Sequence, residues 1–303
     1  MALKLGIIGY GGMAGWHHQN SVKVPGVEVL AAYDINPEQV ALAQSKGLTG
    51  YHELSGLLGD DRINTVLVAT PNDAHCKLAC AALDAGKNVI CEKPVAMSVA
   101  ELDRMIAASE KAGKIFTVHQ NRRWDKDFVT AKAVFESGTL GKVYSIQSRL
   151  HGMGGTMHGW RGEPEHGGGM IYDWGVHFLD QIYFMLGYEE ITAVKCNVAS
   201  VKNAEVDDYF DMTIDTKSGV HVVVEIGTFV LNENPRWMIM GDEGTMVITD
   251  FAATGKIIKV NTLTEDVPVI VMTSAGPTRT FAPRPKNVKL ELDLPVYNPQ
   301  WTE

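Results

Sequence analysis

The first 120 residues alternate short apolar runs with segments that carry helix start and stop signals. Continuous apolar runs of this kind are typical of strands that are covered on both faces of a parallel sheet. The predicted strands are 3–9, 27–33, 65–70, 88–91 and 115–118, and the predicted helices between them are 14–24, 37–47, 74–85 and 98–113. Strands that alternate with helices predict βαβ units, which build an α/β, doubly wound fold on a parallel sheet.

The pattern changes after residue 122. The sequence predicts a helix at 126–137, a glycine-rich stretch at 152–169, a helix at 173–186 and then successive strands at 191–201, 206–217, 220–230, 235–241 and 244–251. Turn signals such as Lys217-Ser218-Gly219 separate these strands and indicate antiparallel hairpins. We therefore predict two domains. Residues 1–122 hold the parallel sheet, and residues 123–303 form an α+β domain with a large, mostly antiparallel open sheet.

The turn after the first predicted strand is Gly9-Tyr10-Gly11-Gly12-Met13-Ala14, which matches the pattern G-x-G-x-x-A. Its glycines allow a tight turn and a close backbone approach to a pyrophosphate at the start of a helix. Asp34 ends the second strand, 20 residues beyond Ala14, where an acidic residue accepts a hydrogen bond from a ribose 2′-hydroxyl. No Arg or Lys follows directly to neutralise a 2′-phosphate. The sequence thus predicts a Rossmann-type domain that binds NAD in preference to NADP.

Polar residues also follow the third and fourth predicted strands, in the segments 70–75 and 91–94. In open α/β folds ligands bind at the carboxyl ends of parallel strands, and both segments begin at such an end. Together with the glycine turn they give the predicted cofactor-binding set: Gly9, Tyr10, Gly11, Gly12, Met13, Asp34, Thr70, Pro71, Asn72, His75, Glu92 and Lys93.

In order and spacing, these motifs resemble the glucose–fructose oxidoreductase, inositol dehydrogenase and MocA (Gfo/Idh/MocA) family of NAD(P)-dependent oxidoreductases. The resemblance covers nearly the whole chain. It rests on the glycine turn, on Ala69-Thr70-Pro71 with His75, on Glu92-Lys93-Pro94, on Asn121-Arg122-Arg123-Trp124 and on the block from Gly167 to Asp180. It implies that Lys93, Asp173 and His177 form the catalytic group and that the substrate is a sugar, cyclitol or glycoside.

The residue types suit these roles. Oxidation of a secondary alcohol needs a base for the hydroxyl proton, and histidine, with an ordinary pKa of about 6.5, titrates near neutral pH. Asp173 and His177 are spaced i, i+4 and would share a helix face. We therefore expect the carboxylate to orient the imidazole and to favour its charged form. Lys93 would stabilise negative charge on the reacting oxygen.

The glycine-rich stretch and the Asn121-Arg122 pair supply the predicted substrate contacts. Trp160 could stack on a sugar ring, and Arg161 could bind hydroxyl groups. The alternative is a mobile solvent loop without a ligand.

A metal site is the alternative use of the same helix. Asp173, His177 and Asp180 are spaced i, i+4 and i+7, and sets of oxygen and imidazole ligands do bind metals. Because the nicotinamide cofactor carries the redox chemistry, we predict no metal.

Composition excludes several other classes of protein. Apolar residues make up 45% of the chain, which excludes a disordered one, and 27 Lys and Arg against 36 Asp and Glu disfavour a nucleic-acid binder. No apolar run is long enough to span a membrane, and no secretory signal is recognised. The four cysteines, Cys76, Cys80, Cys91 and Cys196, have no framework spacing. We predict a cytoplasmic protein.

The predicted function is hydride transfer between NAD and a secondary hydroxyl or ketone of a sugar, cyclitol or glycoside. Two alternatives stay open: an enzyme that uses tightly bound NAD transiently for glycoside elimination or epimerisation, and a non-catalytic nucleotide- or sugar-sensing regulator. Net NADH release separates the first alternative from the prediction, and absence of turnover favours the second.

The strands predicted from residue 191 onward indicate that the protein forms a homo-oligomer. Their sheet is expected to bury one face on its own helices and to offer the other to a second copy in a homodimer or homotetramer, since a large uncovered apolar face would aggregate. Proteins of this family usually continue beyond a segment like Asn298-Pro299-Gln300-Trp301 into helices that pack on the nucleotide-binding domain. Those helices are expected to be missing from this sequence, which ends at Glu303.

Overall fold

The computed structural model describes residues 2–260, 269–280 and 289–299. The first part of the chain contains six parallel strands: β1 Leu3–Ile8, β2 Val27–Tyr33, β3 Thr49–Tyr51, β4 Thr65–Val68, β5 Asn88–Cys91 and β6 Phe116–Val118. Their order in the sheet is β3-β2-β1-β4-β5-β6. The chain builds outward from β1 in one direction and then, from β4, in the other. The carboxyl ends of β1 and β4 therefore form the switch point where open α/β sheets bind ligands.

Five helices cover this sheet on both faces: α1 Gly12–Ser21, α2 Pro37–Ser45, α3 Leu54–Leu58, α4 His75–Asp84 and α5 Val99–Ala112. Successive side chains of a strand point to opposite faces. Accordingly, Ile7 of β1 packs in one apolar cluster with Ala14 of α1, whereas Ile8 packs in another with Ala79 of α4. This arrangement confirms the predicted doubly wound parallel fold.

Local sequence signals mark both ends of α5, whereas the short strand β3 has no such signal. The Ser98 side chain accepts a hydrogen bond from the Glu101 N–H at the start of α5, and Gly113, with φ 61°, ends that helix. β3 was not predicted, because a three-residue strand is too short to show a period. The sheet therefore has six strands rather than the five that the sequence predicts.

The second part of the chain combines two helices with an eight-stranded sheet. The helices are α6 Lys126–Glu136 and α7 Val176–Met185, and a π-helical turn at Ile171–Gly175 leads into α7. The strands are β7 Val143–His151, β8 Ile191–Ala199, β9 Tyr209–Thr216, β10 His221–Gly227, β11 Trp237–Gly241, β12 Gly244–Ile248, β13 Gly255–Val260, β14 Val269–Thr273, β15 Gly276–Thr280 and β16 Lys289–Asp293. β14 and β15 form a separate hairpin.

The order in the large sheet is β16-β13-β12-β11-β7-β10-β9-β8. Its strands pair antiparallel except for β7 with β10, which confirms the mostly antiparallel sheet of the prediction. β7, β13 and β16 were not predicted. β7 lies at the centre of the sheet, but its buried residues Ser145, Ile146 and Ser148 include two serines, so the sequence shows neither an apolar run nor a regular alternation.

The core of this part lies between the sheet and the two helices. Phe128 of α6 and Phe178 of α7 pack with Phe210 and Trp237 of the sheet, and all four are fully buried. Among the described residues, every helix is too short or too polar to cross a membrane.

The helices leave the β8 end of this sheet uncovered. Val194 and Val198 pair with the buried Ile214 and Phe210 of β9, so they point to the same face as the helices. They nevertheless remain 57% and 54% exposed. The face expected to be covered by the chain's own helices thus carries an apolar strip, beside a groove of about 620 Å³.

Candidate active site

The glycine turn lies between β1 and α1, at the carboxyl edge of the parallel sheet. Gly9 has φ +85°, and a Cβ there would lie 2.7 Å from Thr70 Cγ2 and 2.8 Å from the Ala69 carbonyl oxygen, so only glycine fits. A Cβ on Gly11 or Gly12 would meet nothing within 4 Å. Among the described residues, no side chain caps the N-terminus of α1, whose first N–H groups lack helical acceptors. Open glycines beside free N–H groups fit a dinucleotide pyrophosphate.

Asp34 lies beside this turn, at the end of β2. Its Oδ2 accepts a hydrogen bond from the Tyr10 N–H at 2.6 Å, and its Oδ1 accepts one from the Asn36 N–H at 2.8 Å. Each carboxylate oxygen keeps a second lone pair for a ribose hydroxyl. Tyr10 itself is buried and its hydroxyl lies 2.7 Å from His18 Nδ1, whereas Met13 is exposed on the first turn of α1.

The segment that follows β4 lies at the same edge of the sheet and connects neighbouring strand ends. His75 is fully buried, with Nδ1 2.8 Å from the Pro94 carbonyl oxygen and Nε2 3.0 Å from that of Thr70. Asn72 donates from Nδ2 to the Gly167 carbonyl oxygen at 2.9 Å. With both ring nitrogens engaged, His75 joins the ends of β4 and β5 and offers no free donor or acceptor for the predicted cofactor contact. Asn72 joins the edge to the glycine-rich stretch of the second domain.

Glu92 follows β5 and is directed toward α1. Its Oε1 lies 2.6 Å from His17 Nε2 and 3.0 Å from His119 Nδ1. Burial raises the pKa of Glu92, but hydrogen bonds from His119 and His17 outweigh burial and hold that pKa well below its ordinary value. Sequence analysis missed both histidines, because no local motif links residues that are 75 and 27 positions away from Glu92.

These three side chains are the group in the described part of the chain whose ligand atoms could hold a metal, since the atoms lie within 4.8 Å of one another. The carboxylate already pairs with both imidazoles, and these hydrogen bonds account for the geometry.

Lys93 and Asp173 meet across the two domains. Lys93 Nζ donates to Asp173 Oδ1 at 3.1 Å and to its carbonyl oxygen at 3.0 Å. Arg161 Nε lies 3.3 Å from the same Oδ1. Burial raises the pKa of Asp173, but the two cations outweigh it and hold that pKa below its ordinary value. One ionised carboxylate therefore joins Lys93, from the nucleotide-binding domain, to the glycine-rich stretch.

The contact expected between Asp173 and His177 is absent from the described residues, which corrects the sequence prediction. His177 Nδ1 is buried and has no hydrogen-bond partner there. Asp173 lies in the π-helical turn Ile171–Gly175, where the wider turn displaces the i, i+4 alignment of a regular helix. The carboxylate turns instead to the cations Lys93 and Arg161.

His177 is neutral in this setting. The residue is 4% exposed, and its pKa falls from 6.5 to about 3. Burial is the largest cause, followed by the charges of Lys93 and Arg122, which together outweigh the opposing effect of Asp173. Asp173 does favour the charged imidazole, as expected, but burial and the two cations outweigh its effect, so the net shift is downward.

Arg122 and Trp160 frame the site with aromatic and cationic groups. The Arg122 guanidinium lies 3.9 Å from the centre of the Trp174 ring and pairs with Asp125 at 2.8 Å. The Arg161 guanidinium lies 4.5 Å from the Trp160 ring centre. Asn121 instead lines a neighbouring cavity of about 750 Å³ beside α1.

Asp173, His177 and Asp180, the alternative metal ligands considered from the sequence, do not converge on one point in the described residues. Both carboxylate oxygens of Asp180 accept hydrogen bonds from Arg123, at 2.8 and 2.6 Å. Asp180 therefore faces the turn after β6, and Asp173 faces Lys93. Sequence analysis did not identify the partner Arg123.

Together, these residues place a neutral imidazole, an ammonium group and a carboxylate near the edge that carries the glycine turn. An imidazole can accept a proton, and an ammonium group can stabilise an oxygen that gains negative charge. Chemically, such an arrangement can remove a proton from a hydroxyl group.

Known proteins share both domains. Residues 3–120 match the model of an oxidoreductase family with an NAD-binding Rossmann fold, and residues 128–247 match the GFO/IDH/MocA C-terminal domain. A solved NAD-binding protein from Listeria innocua is 38% identical, with a TM-score of 0.92 over 97% of this chain and 85% of that one.

Two curated proteins are similar over much of the chain. An uncharacterised oxidoreductase of Schizosaccharomyces pombe is 32% identical over 205 residues, which are 65% of this chain and 56% of that protein. The scyllo-inositol 2-dehydrogenase (NADP(+)) of Bacillus subtilis is 30% identical over 252 residues, which are 81% of this chain and 68% of the enzyme. The chain thus spans little more than half the length of the first relative and about two thirds of the second. The protein belongs to the Gfo/Idh/MocA family of oxidoreductases.

Proposed function

We propose that this protein is an NAD-dependent dehydrogenase or reductase that acts on a secondary hydroxyl or ketone of a sugar, cyclitol or glycoside. The observation that carries the proposal is the pair of Lys93 and Asp173, which joins the two domains at the sheet edge that holds the glycine turn. The charges of both residues act on the buried imidazole of His177. The family supports an oxidoreductase, and the similarity to a scyllo-inositol dehydrogenase supports a cyclitol or sugar substrate.

In the proposed mechanism His177 is the base. With a pKa of about 3 the imidazole carries no proton at neutral pH, so it can accept one from the substrate hydroxyl. Lys93 then stabilises the developing charge on the oxygen. A bound NAD supplies the hydride acceptor.

Asp173 has a different role from the one first expected. Its carboxylate pairs with Lys93 and Arg161 rather than with His177. We therefore assign it to the positioning of the Lys93 ammonium group. Arg161 would close the substrate side of the site, with Trp160 stacked on it.

NAD is the proposed cofactor, with NADP less favoured, because the Asp34 carboxylate would repel a 2′-phosphate. The B. subtilis relative is named as an NADP(+) enzyme, so a direct comparison of both cofactors is needed. The predicted contacts of Gly11, Gly12, Met13, Thr70 and Pro71 with the cofactor belong to this proposal.

A homodimer or homotetramer and a cytoplasmic location complete the proposal. The exposed apolar strip of Val194 and Val198 on β8 supports pairing with a second copy. A sedimentation mass equal to the 33.1 kDa monomer at micromolar concentration would contradict an oligomer.

The test is a panel of polyols, cyclitols and glycosides with NAD or NADP, in which reduced-nucleotide absorbance and product are both followed. We expect NADH to form in proportion to product. His177→Ala should abolish most of this signal, whereas His221→Ala, an exposed histidine that pairs with Asp215, should leave it unchanged.

Other results would favour the two alternatives. Product without net NADH would indicate transient use of the cofactor. Tight NAD binding without turnover on the whole panel would indicate a regulator and overturn the proposal.

A further inference from the structure

Two consecutive residues of α7 hold two consecutive residues of the turn Asn121–Trp124. Arg123 donates from Nε and Nη2 to the carboxylate of Asp180, at 2.8 and 2.6 Å. Gln181 donates from Nε2 to the carbonyl oxygen of Arg122 at 2.6 Å. We propose that Asp180 and Gln181 are positioning residues that fix His177 relative to Lys93, an inference that rests on the proposed function. We refer to these contacts as the α7 clamp.

The clamped turn lies where the chain passes from one domain to the other. It follows β6 and precedes α6, and it falls between the two segments, 3–120 and 128–247, that match the family models. Lys93 leaves β5, the strand beside β6, whereas His177 lies on α7 one helical turn before Gln181. The distance between the proposed base and the proposed cation therefore depends on how α7 is held against this turn.

The clamp is anchored in the core of the second domain. Gln181 is fully buried, and its Oε1 accepts a hydrogen bond from Arg236 Nη2 at 3.2 Å. Arg236 Nε forms an ion pair with Asp127 Oδ2 at 3.1 Å, and that oxygen accepts a hydrogen bond from Trp237 Nε1 at 2.8 Å. Loss of the Gln181 amide would leave the Arg122 carbonyl oxygen with only the Asp125 N–H as donor. It would also leave a buried Arg236 N–H without its acceptor, which costs free energy.

The ionic half of the clamp has the geometry of a strong pair. Arg–carboxylate pairs with two parallel hydrogen bonds fix orientation as well as distance. The Arg123 guanidinium also lies 4.7 Å from the Phe184 ring centre, one turn further along α7. Arg123 thus contacts two successive turns of the helix that carries His177.

The clamp also sets the charge that His177 experiences. The charged groups that act on this imidazole are Lys93 and Glu92 from the end of β5, Arg122 from the clamped turn and Asp173 from the π-helical turn. Lys93 and Arg122 lower its pKa, whereas Asp173 and Glu92 raise it. If the turn loosens, Arg122 moves away, and the pKa of His177 should rise.

The experiment compares Gln181→Leu, Asp180→Asn and the double variant with the unmodified protein. We expect kcat to fall roughly tenfold to a hundredfold, as small misplacements of catalytic groups do. NAD affinity should stay within about twofold, because Asp180 and Gln181 hold Arg123 and Arg122 whereas the pyrophosphate is expected to bind backbone N–H groups of the glycine turn. The acid limb of the kcat profile should move to higher pH by about half a unit or more. Glu190→Gln, which breaks the exposed pair with Lys217 in the same domain, is the matched control and should change nothing.

Two further variants distinguish positioning from general loss of structure. Arg123→Lys keeps the charge but not the two-pronged contact, so it should lose part of the activity. Exchange of the partners, Arg123→Asp with Asp180→Arg, should recover part of the turnover that either single change removes.

Unchanged kcat and pH profile in folded Gln181→Leu would overturn the proposal. So would a loss of stability and NAD binding without a shift of the pH profile, since that pattern indicates a purely structural role. If the double variant does not fold, the single variants and Arg123→Lys decide the question. NMR titration of labelled histidine, carried down through the pKa of His177 at about 3, follows this residue even without a known substrate. An unshifted His177 in Gln181→Leu refutes the clamp, whereas absent turnover in the unmodified protein refutes the proposed function.

Discussion

The two ends of the candidate site are built in different ways. At the cofactor end, one contiguous turn presents backbone N–H groups, and the decisive residue, Gly9, contributes no side chain. At the reaction end, side chains converge from distant parts of the chain, as in the Lys93–Asp173 pair, whose members are 80 residues apart. The first end depends on backbone conformation, and the second depends on how two domains are held together.

This difference implies that substitutions should separate the two functions. Side-chain removal at the reaction end should reduce turnover and spare cofactor binding. A change of backbone freedom at the cofactor end should do the reverse.

The largest effect is expected for His177→Ala. The proposed base is lost, so kcat should fall by roughly 10² to 10⁴, the usual contribution of a positioned acid–base group. NAD affinity should be retained, because the pyrophosphate cradle is made of backbone groups. Steady-state kinetics on the substrate from the panel and NAD titration by fluorescence check both halves. Full turnover in this variant would remove the proposed base.

Lys93→Ala should come next, because it removes the cation beside the reacting oxygen. We expect a loss of kcat of roughly 10² or more. Lys93→Arg should not restore it, since a planar fork replaces a compact ammonium group. If Asp173 acts through Lys93, Asp173→Asn should add nothing to Lys93→Ala. A fully additive double variant would contradict this assignment.

Gly9→Ala should break the cofactor end alone. A residue with a side chain at φ +85° is strained by about 1–3 kcal/mol, and its Cβ would lie 2.7 Å from Thr70 Cγ2. NAD affinity and the free energy of unfolding should both fall. Gly15→Ala in α1 is the matched control, because a Cβ there meets nothing within 4 Å. That variant should be as stable as the unmodified protein, or more so. Equal behaviour of the two variants would show that the turn tolerates a side chain.

How much the sequence predicts follows from the same contrast. The glycine turn and Asp34 could be predicted because their signal is local and contiguous with a strand and a helix. Lys93, Asp173 and His177 could be assigned from the family resemblance, but their pairing could not. Asp173 turns to Lys93 and Arg161 rather than to His177, which depends on the docking of two domains and on a π-helical turn that the i, i+4 spacing does not reveal.

The contacts that the sequence does not reveal are those made over long separations. The two histidines on Glu92 and the Gln181 contact to Arg122 each join residues with no shared motif. The same applies to the fold. β1 and β2 are continuous apolar runs and were predicted, whereas the three-residue β3 was not.

The reaction end should also make stability depend on pH. The folded-state pKa of His177 is about 3 against an ordinary 6.5, so the unfolded chain binds a proton in this window and the folded protein does not. Stability should therefore fall as pH decreases from 6.5 toward 3, by at most about 1.4 kcal/mol per pH unit from this residue. In urea unfolding, His177→Gln should lose less stability than the unmodified protein between these pH values. The exposed control His221→Gln should not differ from the unmodified protein. If the free energy of unfolding of His177→Gln depends on pH as steeply as that of the unmodified protein, the lowered pKa is contradicted.

The smallest effect is expected where the cofactor end does use a side chain. Asp34→Ala removes the acceptor for a ribose hydroxyl and the charge that repels a 2′-phosphate, so NAD should bind roughly tenfold more weakly while NADP binds as well or better. The variant also leaves the Tyr10 and Asn36 N–H groups without their acceptor, which could weaken both cofactors alike. Asp34→Asn separates these effects, because it keeps an acceptor oxygen for the turn but removes the charge. If charge sets the preference, Asp34→Asn should narrow the ratio of the NAD and NADP dissociation constants nearly as much as Asp34→Ala. If the ratio is already close to one in the unmodified protein, Asp34 does not select the cofactor, and the side-chain basis for preferring NAD is lost.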